Sequence, residues 1–287
     1  MPRVSGSNIE SLNGDLTDEK FVAEVVRKID YLLLFAGVLS TGPVLARDPL
    51  KSVLATLRIS VNAIEAAWRA GIRRCVWLSS TCGYPDFNGR LSEHQMFDRE
   101  PPPQWHALGW MTRYVETLCE TVAVRVSPAL PMVVLRPSLV YGEYDHFDEA
   151  TAHFLPSLIR RVVSRERPIE VWGDGTQSRD LIHAADVVSA VVLGLSSKQP
   201  YITANIAAGC TYSVSEILVK LLQMDGFEDS KLVYRTEKPQ AVISRQFDTR
   251  KALDLLQWKP KVTLDDGIGR TLSWYRSMQS LDLNSGA

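Results

Sequence analysis

The feature that most constrains this chain is the alternation, through its first half, of short apolar runs with longer amphipathic ones. Residues 29–38 (IDYLLLFAGV) are almost wholly apolar and end on Ala36-Gly37. A run of that length reads as a strand buried on both faces. Residues 50–70 then place Val53, Leu54, Leu57, Val61, Ile64, Ala67 and Trp68 at helical spacing, and Gly71 supplies a C-terminal stop. A second strand is predicted over 75–80 (CVWLSS), a second helix over 109–124, and a third strand over 132–137 (MVVLRP). This order predicts right-handed βαβ crossovers and an α/β, doubly wound parallel sheet with helices on both faces. Ligands of such sheets bind outside the carboxyl ends of the strands. Those ends are Phe35-Ala36-Gly37, Ser79-Ser80-Thr81 and Arg136-Pro137-Ser138.

The remainder is more broken: a Gly173-Asp174-Gly175 turn, then helical patterns at 186–195, 213–224 and 264–277. Net charge separates some classes of function. With 32 basic and 33 acidic residues the formal charge is −1, which gives no electrostatic footprint for nucleic acid or an anionic membrane. No apolar run approaches the ~20 residues of a membrane span. The stretch from Met1 to Gly6 has no signal-peptide core. The four cysteines form no CxxC pair and no zinc-spaced cluster with histidine, so no metal site is expected, and reduced thiols suit a cytoplasmic location.

Several ordered landmarks carry a resemblance. They are Gly14-Asp15-Leu16-Thr17-Asp18, Phe35-Ala36-Gly37, Ser79-Ser80-Thr81-Cys82-Gly83-Tyr84-Pro85, Arg136-Pro137-Ser138-Leu139-Val140-Tyr141-Gly142, and Val171-Trp172-Gly173-Asp174-Gly175 followed by Arg179-Asp180 and Asp186-Val187. The chain, from Gly14 to about Tyr275, resembles the extended short-chain dehydrogenase/reductase family in its NAD(P)-dependent epimerase/dehydratase branch. The resemblance implies a Rossmann-like sheet with a smaller C-terminal α/β substrate unit. The expected division is 1–140 with about 181–205 for the dinucleotide part, and 141–180 with 206–287 for the sugar-nucleotide part. It further implies NAD or NADP as cofactor, lined by Asp15, Ala36, Gly37 and Pro137. A nucleotide sugar is implied as substrate, held by Trp172, Arg179 and Arg245, with Ser80 as the active-site hydroxyl.

Within the family the likeness is to the GDP-fucose synthase type, on two positions. Cys82 stands two residues before Tyr84, and His153 stands in Thr151-Ala152-His153-Phe154-Leu155-Pro156. There the family type has an acid/base pair. Epimerisation needs one group to take a proton from carbon and another to return one on the opposite face, and a thiol and an imidazole suit that work near neutral pH. The resemblance also implies a homodimer through the helices at 50–70 and 109–124.

Two departures are equally legible. The family opens on a glycine-rich turn that holds the pyrophosphate at a helix N-terminus. Here Asp15 comes at once, so a βαβ unit of roughly 30 residues is expected to be missing, by loss or by an upstream start. The family helix carries Tyr-x-x-x-Lys. Aligning Leu118-Cys119-Glu120 with the segment after that motif puts Leu108 and Thr112 at the two positions, so hydride chemistry lacks its acid/base and its cation.

Plainer readings stand beside these. Ser80 also suits a strand end, Cys82 a packed thiol, Arg179 an ion pair with Asp180 or Asp186, Trp172 a core indole, and Asp15 an N-cap of a helix near 18–28. A non-catalytic binding protein and a shortened copy of an active enzyme remain alternatives to a proton-transferring epimerase.

Overall fold

The computed structural model describes residues 8–38, 48, 50–87, 89–149, 151–238 and 244–285, with side chains up to residue 280. The stretch through Gly6 lies outside the described residues. The central sheet has strands β1 (Tyr31–Leu34), β2 (Arg74–Leu78), β3 (Met132–Pro137) and β4 (Tyr201–Ile206), all parallel, side by side in that order. The helices are α1 (Glu19–Val26), α2 (Lys51–Ala70), α3 (His106–Val124), α4 (Phe154–Val163), α5 (Ala184–Ser196), α6 (Val214–Asp225), α7 (Arg250–Leu256) and α8 (Leu264–Ser285).

Period-2 burial builds the two layers. Leu34, Cys75, Trp77, Met132 and Val134 point to one face and pack with Ile64 and Ala67 of α2 and Val115, Cys119 and Val122 of α3. Val76, Val133 and Leu135 point to the other, where Val187, Ala190 and Val191 of α5 and Ala252 of α7 cover them. The α/β doubly wound class predicted from the alternation is therefore the observed one. Gly71, at φ 64°, ends α2 in the left-handed conformation that only glycine enters without cost. A third cluster joins α4, α6 and α8 through Leu155, Ile159, Ile217, Leu221, Ile268 and Leu272.

One expectation is corrected. The run at 29–38 is not buried on both faces: only 31–34 are strand, and Tyr31, Leu33 and Phe35 are 45%, 44% and 48% exposed. The cause is position. Leu33 lies beside Val76 in register, on the face that α5 covers over β2 and β3, but β1 is the edge among the described residues and its odd-numbered side chains remain open. The even-numbered Leu32, Leu34 and Ala36 pack against the α2/α3 layer.

Candidate active site

The carboxyl ends of β2 and β3 meet over a buried polar network. Arg136, on β3, donates from Nε to both carboxylate oxygens of Glu116 on α3, at 2.9 and 3.1 Å, and from Nη1 to the Tyr84 hydroxyl and the Glu93 carbonyl, each at 2.8 Å. Ser79 donates to Glu116, and the Tyr84 hydroxyl donates to Asn205 Oδ1 at 2.6 Å. Burial opposes the Arg136 charge, but Glu116 and Tyr84 more than compensate, and the guanidinium stays above its ordinary pKa. Burial pushes the Tyr84 phenol well up. Tyr84 is thus a neutral strut under the site.

A single 3₁₀ turn, Thr81–Gly83, sits on this base. Ser80 caps it, its Oγ accepting from the Cys82 amide at 3.2 Å. Arg113 of α3 donates from Nε to the Gly83 carbonyl at 2.9 Å, and a second nitrogen reaches the Arg99 carbonyl. From the other side Arg245 donates to the carbonyls of Thr81 and Tyr84, both at 3.3 Å, and to Asp86 Oδ1 at 3.0 Å. The Cys82 thiol, half-buried at the centre, lies 3.4 Å from Thr112 Oγ1. Burial raises its pKa above the usual thiol value, while the Arg245 charge acts in the opposite sense.

Arg245 and Arg179 lie close enough for their charges to interact. The Arg179 pKa is lowered, first by burial and then by Arg245. Arg179 donates to the Ser178 carbonyl at 2.8 Å and lies over the Phe154 ring at 5.8 Å. The Arg245 Nε is buried with no hydrogen-bond partner among the described residues. Two guanidinium groups with an unsatisfied buried donor form a place that an anion would complete.

The family is decided by comparison. A model of the NAD dependent epimerase/dehydratase family matches residues 3–207. The chain belongs to this family. Among sequence relatives are the probable GDP-L-fucose synthase 1 of Oryza sativa subsp. japonica, 28% identical over 263 residues (89% of this chain, 77% of the relative), and the GDP-L-fucose synthase 1 of Arabidopsis thaliana, 30% identical over 226 residues (76% and 68%). Among solved structures, MoeE5 in complex with UDP-glucuronic acid and NAD superposes with a TM-score of 0.84 at 26% identity, over 97% of this chain and 89% of that one. UDP-glucose 4-epimerase of Thermotoga maritima, at 22% identity and a TM-score of 0.83 over 93% and 84%, shares the fold.

Against the epimerase/dehydratase pattern the predicted residues separate into groups. Ser80, Cys82, Arg245 and Arg179 come together as described. Pro137 closes β3 opposite Ile206, and Ala36 and Gly37 follow the edge strand. His153 is the N-cap residue of α4, with Nδ1 3.8 Å from Asp145 Oδ1 and the side chain 47% exposed. Among the described residues no hydrogen bond or ion pair joins it to Cys82. Trp172 is 57% exposed, with Lys238 over its ring, which excludes the core-indole reading. Asp15 does not cap α1. Its carboxylate accepts from the amide and hydroxyl of Thr17, each at 2.8 Å, and Asp18 is the cap. Asp180 does not pair with Arg179; it accepts from Ser138 Oγ at 3.0 Å and from the amides of Ala208 and Gly209 at 2.9 and 3.1 Å.

Glu116 was not foreseen as a site residue, Thr112 only as the position of the absent cation, and Arg113 only as a neighbour of it. The signal was present: on a helix otherwise patterned apolar, three polar residues at 112, 113 and 116 share the buried side at i, i+1 and i+4. A buried charge on a helix needs a partner, and Arg136 was the charged residue in the neighbouring strand.

The described residues do not by themselves supply a cradle for the dinucleotide that the family name implies. Between residues 8 and 38 the two glycines are Gly14 and Gly37. Gly14 lies under the Phe21 ring, whose atoms a Cβ there would meet at 2.1 Å, so its small size serves packing. Among the described residues no glycine-rich turn opens a helix toward a pyrophosphate. Leu108 and Thr112 offer neither a phenol nor a cation.

Proposed function

We propose that this epimerase/dehydratase family member binds a nucleotide-linked keto-sugar and moves protons on it without hydride transfer. The observation that carries this reading is the Cys82 thiol, held at the β2 end beside Arg245 and Arg179, where Leu108 and Thr112 stand at the redox positions. Arg179 and Arg245 grip the diphosphate by bidentate hydrogen bonds, and the exposed Trp172 offers a flat face to a base or sugar. His153 removes the proton beside the carbonyl, and Cys82 returns one on the other face of the enolate. Ser80 and the Arg113 clamp keep the turn in place. The reaction is tested by mass spectrometry of a nucleotide-linked 4-keto-sugar incubated in heavy water, with guanosine and uridine diphosphate versions compared. Incorporation next to the carbonyl supports the reading, and none with either base rejects it.

One observation favours a second reading, a binding protein without turnover. His153 and Cys82 share no hydrogen bond, and His153 faces Asp145 across 3.8 Å. Tight binding of the same sugars with no deuterium uptake is the outcome that selects it.

We also propose a homodimer through α2 and α3, which leave Leu54, Trp110 and Tyr114 exposed at 42%, 42% and 59%. Sedimentation equilibrium checks this, with Tyr114→Lys expected to give monomers. A cytoplasmic location is part of the same reading and suits the free cysteines. Among the described residues no helix is long and apolar enough to cross a membrane.

A further inference from the structure

Gln177 closes the turn that leaves Trp172, and only 6% of it is exposed. Its Nε2 donates to the Trp172 carbonyl at 2.7 Å. A carbonyl oxygen only accepts, so the amide nitrogen is the end turned to Trp172 and the oxygen is the end left over. That oxygen, Oε1, is buried and has no hydrogen-bond partner among the described residues. A buried amide acceptor without a donor is costly, and each one in a folded protein asks for a reason.

The chain around Gln177 orders the site. The Gln177 carbonyl accepts from the Val214 amide at 3.0 Å, and Ser178 and Arg179 continue that pairing opposite Ser213 and Tyr212. In an extended run alternate residues share a side, so Gln177 and Arg179 project together with their Cα atoms roughly 7 Å apart. A ribose between base and diphosphate bridges a gap of that order. Ser178 turns the other way and donates to Ser244 at 2.7 Å, next to Arg245. The charges of Arg179 and Arg245 interact, and the Arg245 charge acts on Cys82. Trp172, Gln177, the two arginines and Cys82 are therefore successive neighbours, with Gln177 at the end remote from the thiol.

We propose that Gln177 is a specificity-determining residue that reads the nucleobase, its Oε1 accepting the ring N–H of a lactam base: N3–H of uracil or thymine, or N1–H of guanine. The inference rests on the nucleotide-sugar reading above and adds the class of base. An indole face such as that of Trp172 stacks on any base, because every base has a π-face, so choice among bases needs a directed polar atom. Adenine and cytosine carry a lone pair and no hydrogen at the corresponding ring nitrogen. With either of them Oε1 faces another acceptor and stays unpaired.

The test is titration calorimetry of the full chain with uridine diphosphate and guanosine diphosphate, each compared with the form methylated at its ring N–H, and with inorganic pyrophosphate. In the parent protein methylation is expected to weaken binding of the preferred nucleotide by about tenfold, the loss of one hydrogen bond. In Gln177→Ala, whose short side chain leaves room for the methyl group, the plain and methylated forms are expected to bind equally. Pyrophosphate is expected to bind parent and variant alike. Equal affinity of the parent for plain and methylated forms overturns the proposal, because Oε1 then has another partner, such as a buried water. A methylation cost as large in Gln177→Ala as in the parent also overturns it: losing the bond to the Trp172 carbonyl loosens the turn and weakens every nucleotide, but leaves that ratio untouched. Should Gln177→Ala fail to fold, the parent decides by nuclear magnetic resonance with isotope-labelled nucleotide. A ring N–H protected from exchange in the complex is the expected result, and one that exchanges as in the free nucleotide overturns the proposal. Deuterium uptake by a 4-keto-sugar without any methylation cost rejects the assignment of Gln177 alone, whereas failure of both diphosphates to bind rejects the nucleotide-sugar reading with it.

Discussion

Glu116 and Arg136 form an ion pair with side chains only 2% and 3% exposed, joining α3 to β3 directly beneath the turn that carries Cys82. Each carboxylate oxygen receives an Arg136 hydrogen, and Ser79 adds a further donor. The arrangement ties α3, the helix that carries Leu108 and Thr112, to the strand end at the site.

Breaking the pair from one side leaves a charge in a poorly solvated place. Glu116→Ala is expected to lower unfolding stability by about 3–5 kcal/mol, and Glu116→Leu with Arg136→Met to recover a large part of that. Urea denaturation of the three proteins measures it. Equal stability of Glu116→Ala and the parent would show that the pair is not what joins α3 to β3.

Asp180 provides a pH signature. Burial pushes its carboxyl up to about 6, against the opposing effect of its hydrogen bonds from Ala208, Ser138 and Gly209. The folded pKa lies above the unfolded one, so the folded state binds the proton more tightly. The associated stabilisation is fully present below about pH 4 and is lost as pH rises through about 6, a span worth on the order of 3 kcal/mol. Relative to Asp180→Asn, the parent protein should therefore gain stability as pH falls from 7 to 4. Denaturation midpoints of the two proteins across that range give the sign. A difference that is flat, or that grows toward neutral pH, contradicts the burial argument.

Arg179 carries the clearest binding prediction because it does not support the Thr81–Asp86 loop as Arg245 does. Arg179→Ala is expected to weaken binding of a nucleoside diphosphate sugar by about 1.5–3 kcal/mol, the size of a charge-assisted hydrogen bond. Titration calorimetry measures this, and the loss should shrink when the nucleoside alone is the ligand. Equal losses with and without the diphosphate would place Arg179 elsewhere in the site.

The open side of β1 predicts self-association. Tyr31, Leu33 and Phe35 form an apolar stripe on an edge strand, a combination prone to edge-to-edge pairing. Leu33→Lys should reduce light scattering of concentrated protein while costing little stability, since Leu33 is 44% exposed. Unchanged scattering with a large loss of stability would mean that Leu33 is a core residue.

Much of this was legible from pattern alone. The alternation of apolar runs gave the order of β1, α2, β2, α3 and β3, and the strand ends located Ser80 and Pro137. Gly71 marked the end of α2 because a left-handed residue was needed there. Burial of β1 was misread, because periodicity reports what a side chain is suited to pack against and says nothing of whether a neighbouring layer is there. The Asp15 cap was misplaced by one Asx turn: Asp15 and Asp18 have the same local chemistry, and only the position of the first helical amide separates them. The contact of Thr112 with Cys82 was invisible for a different reason. A Thr in a helix is unremarkable until the strand end that it faces is known, and that is a relation between residues thirty apart.

The central claim is proton exchange at carbon through Cys82 without a nicotinamide. Its most direct test is the rate of deuterium entry from heavy water into a nucleotide-linked 4-keto-sugar, measured for the parent and Cys82→Ala with and without added NADPH. Exchange by the parent that is indifferent to NADPH, and a fall of about 10²-fold or more in Cys82→Ala, is the predicted result. Exchange that appears only with NADPH, or that persists undiminished in Cys82→Ala, would contradict it.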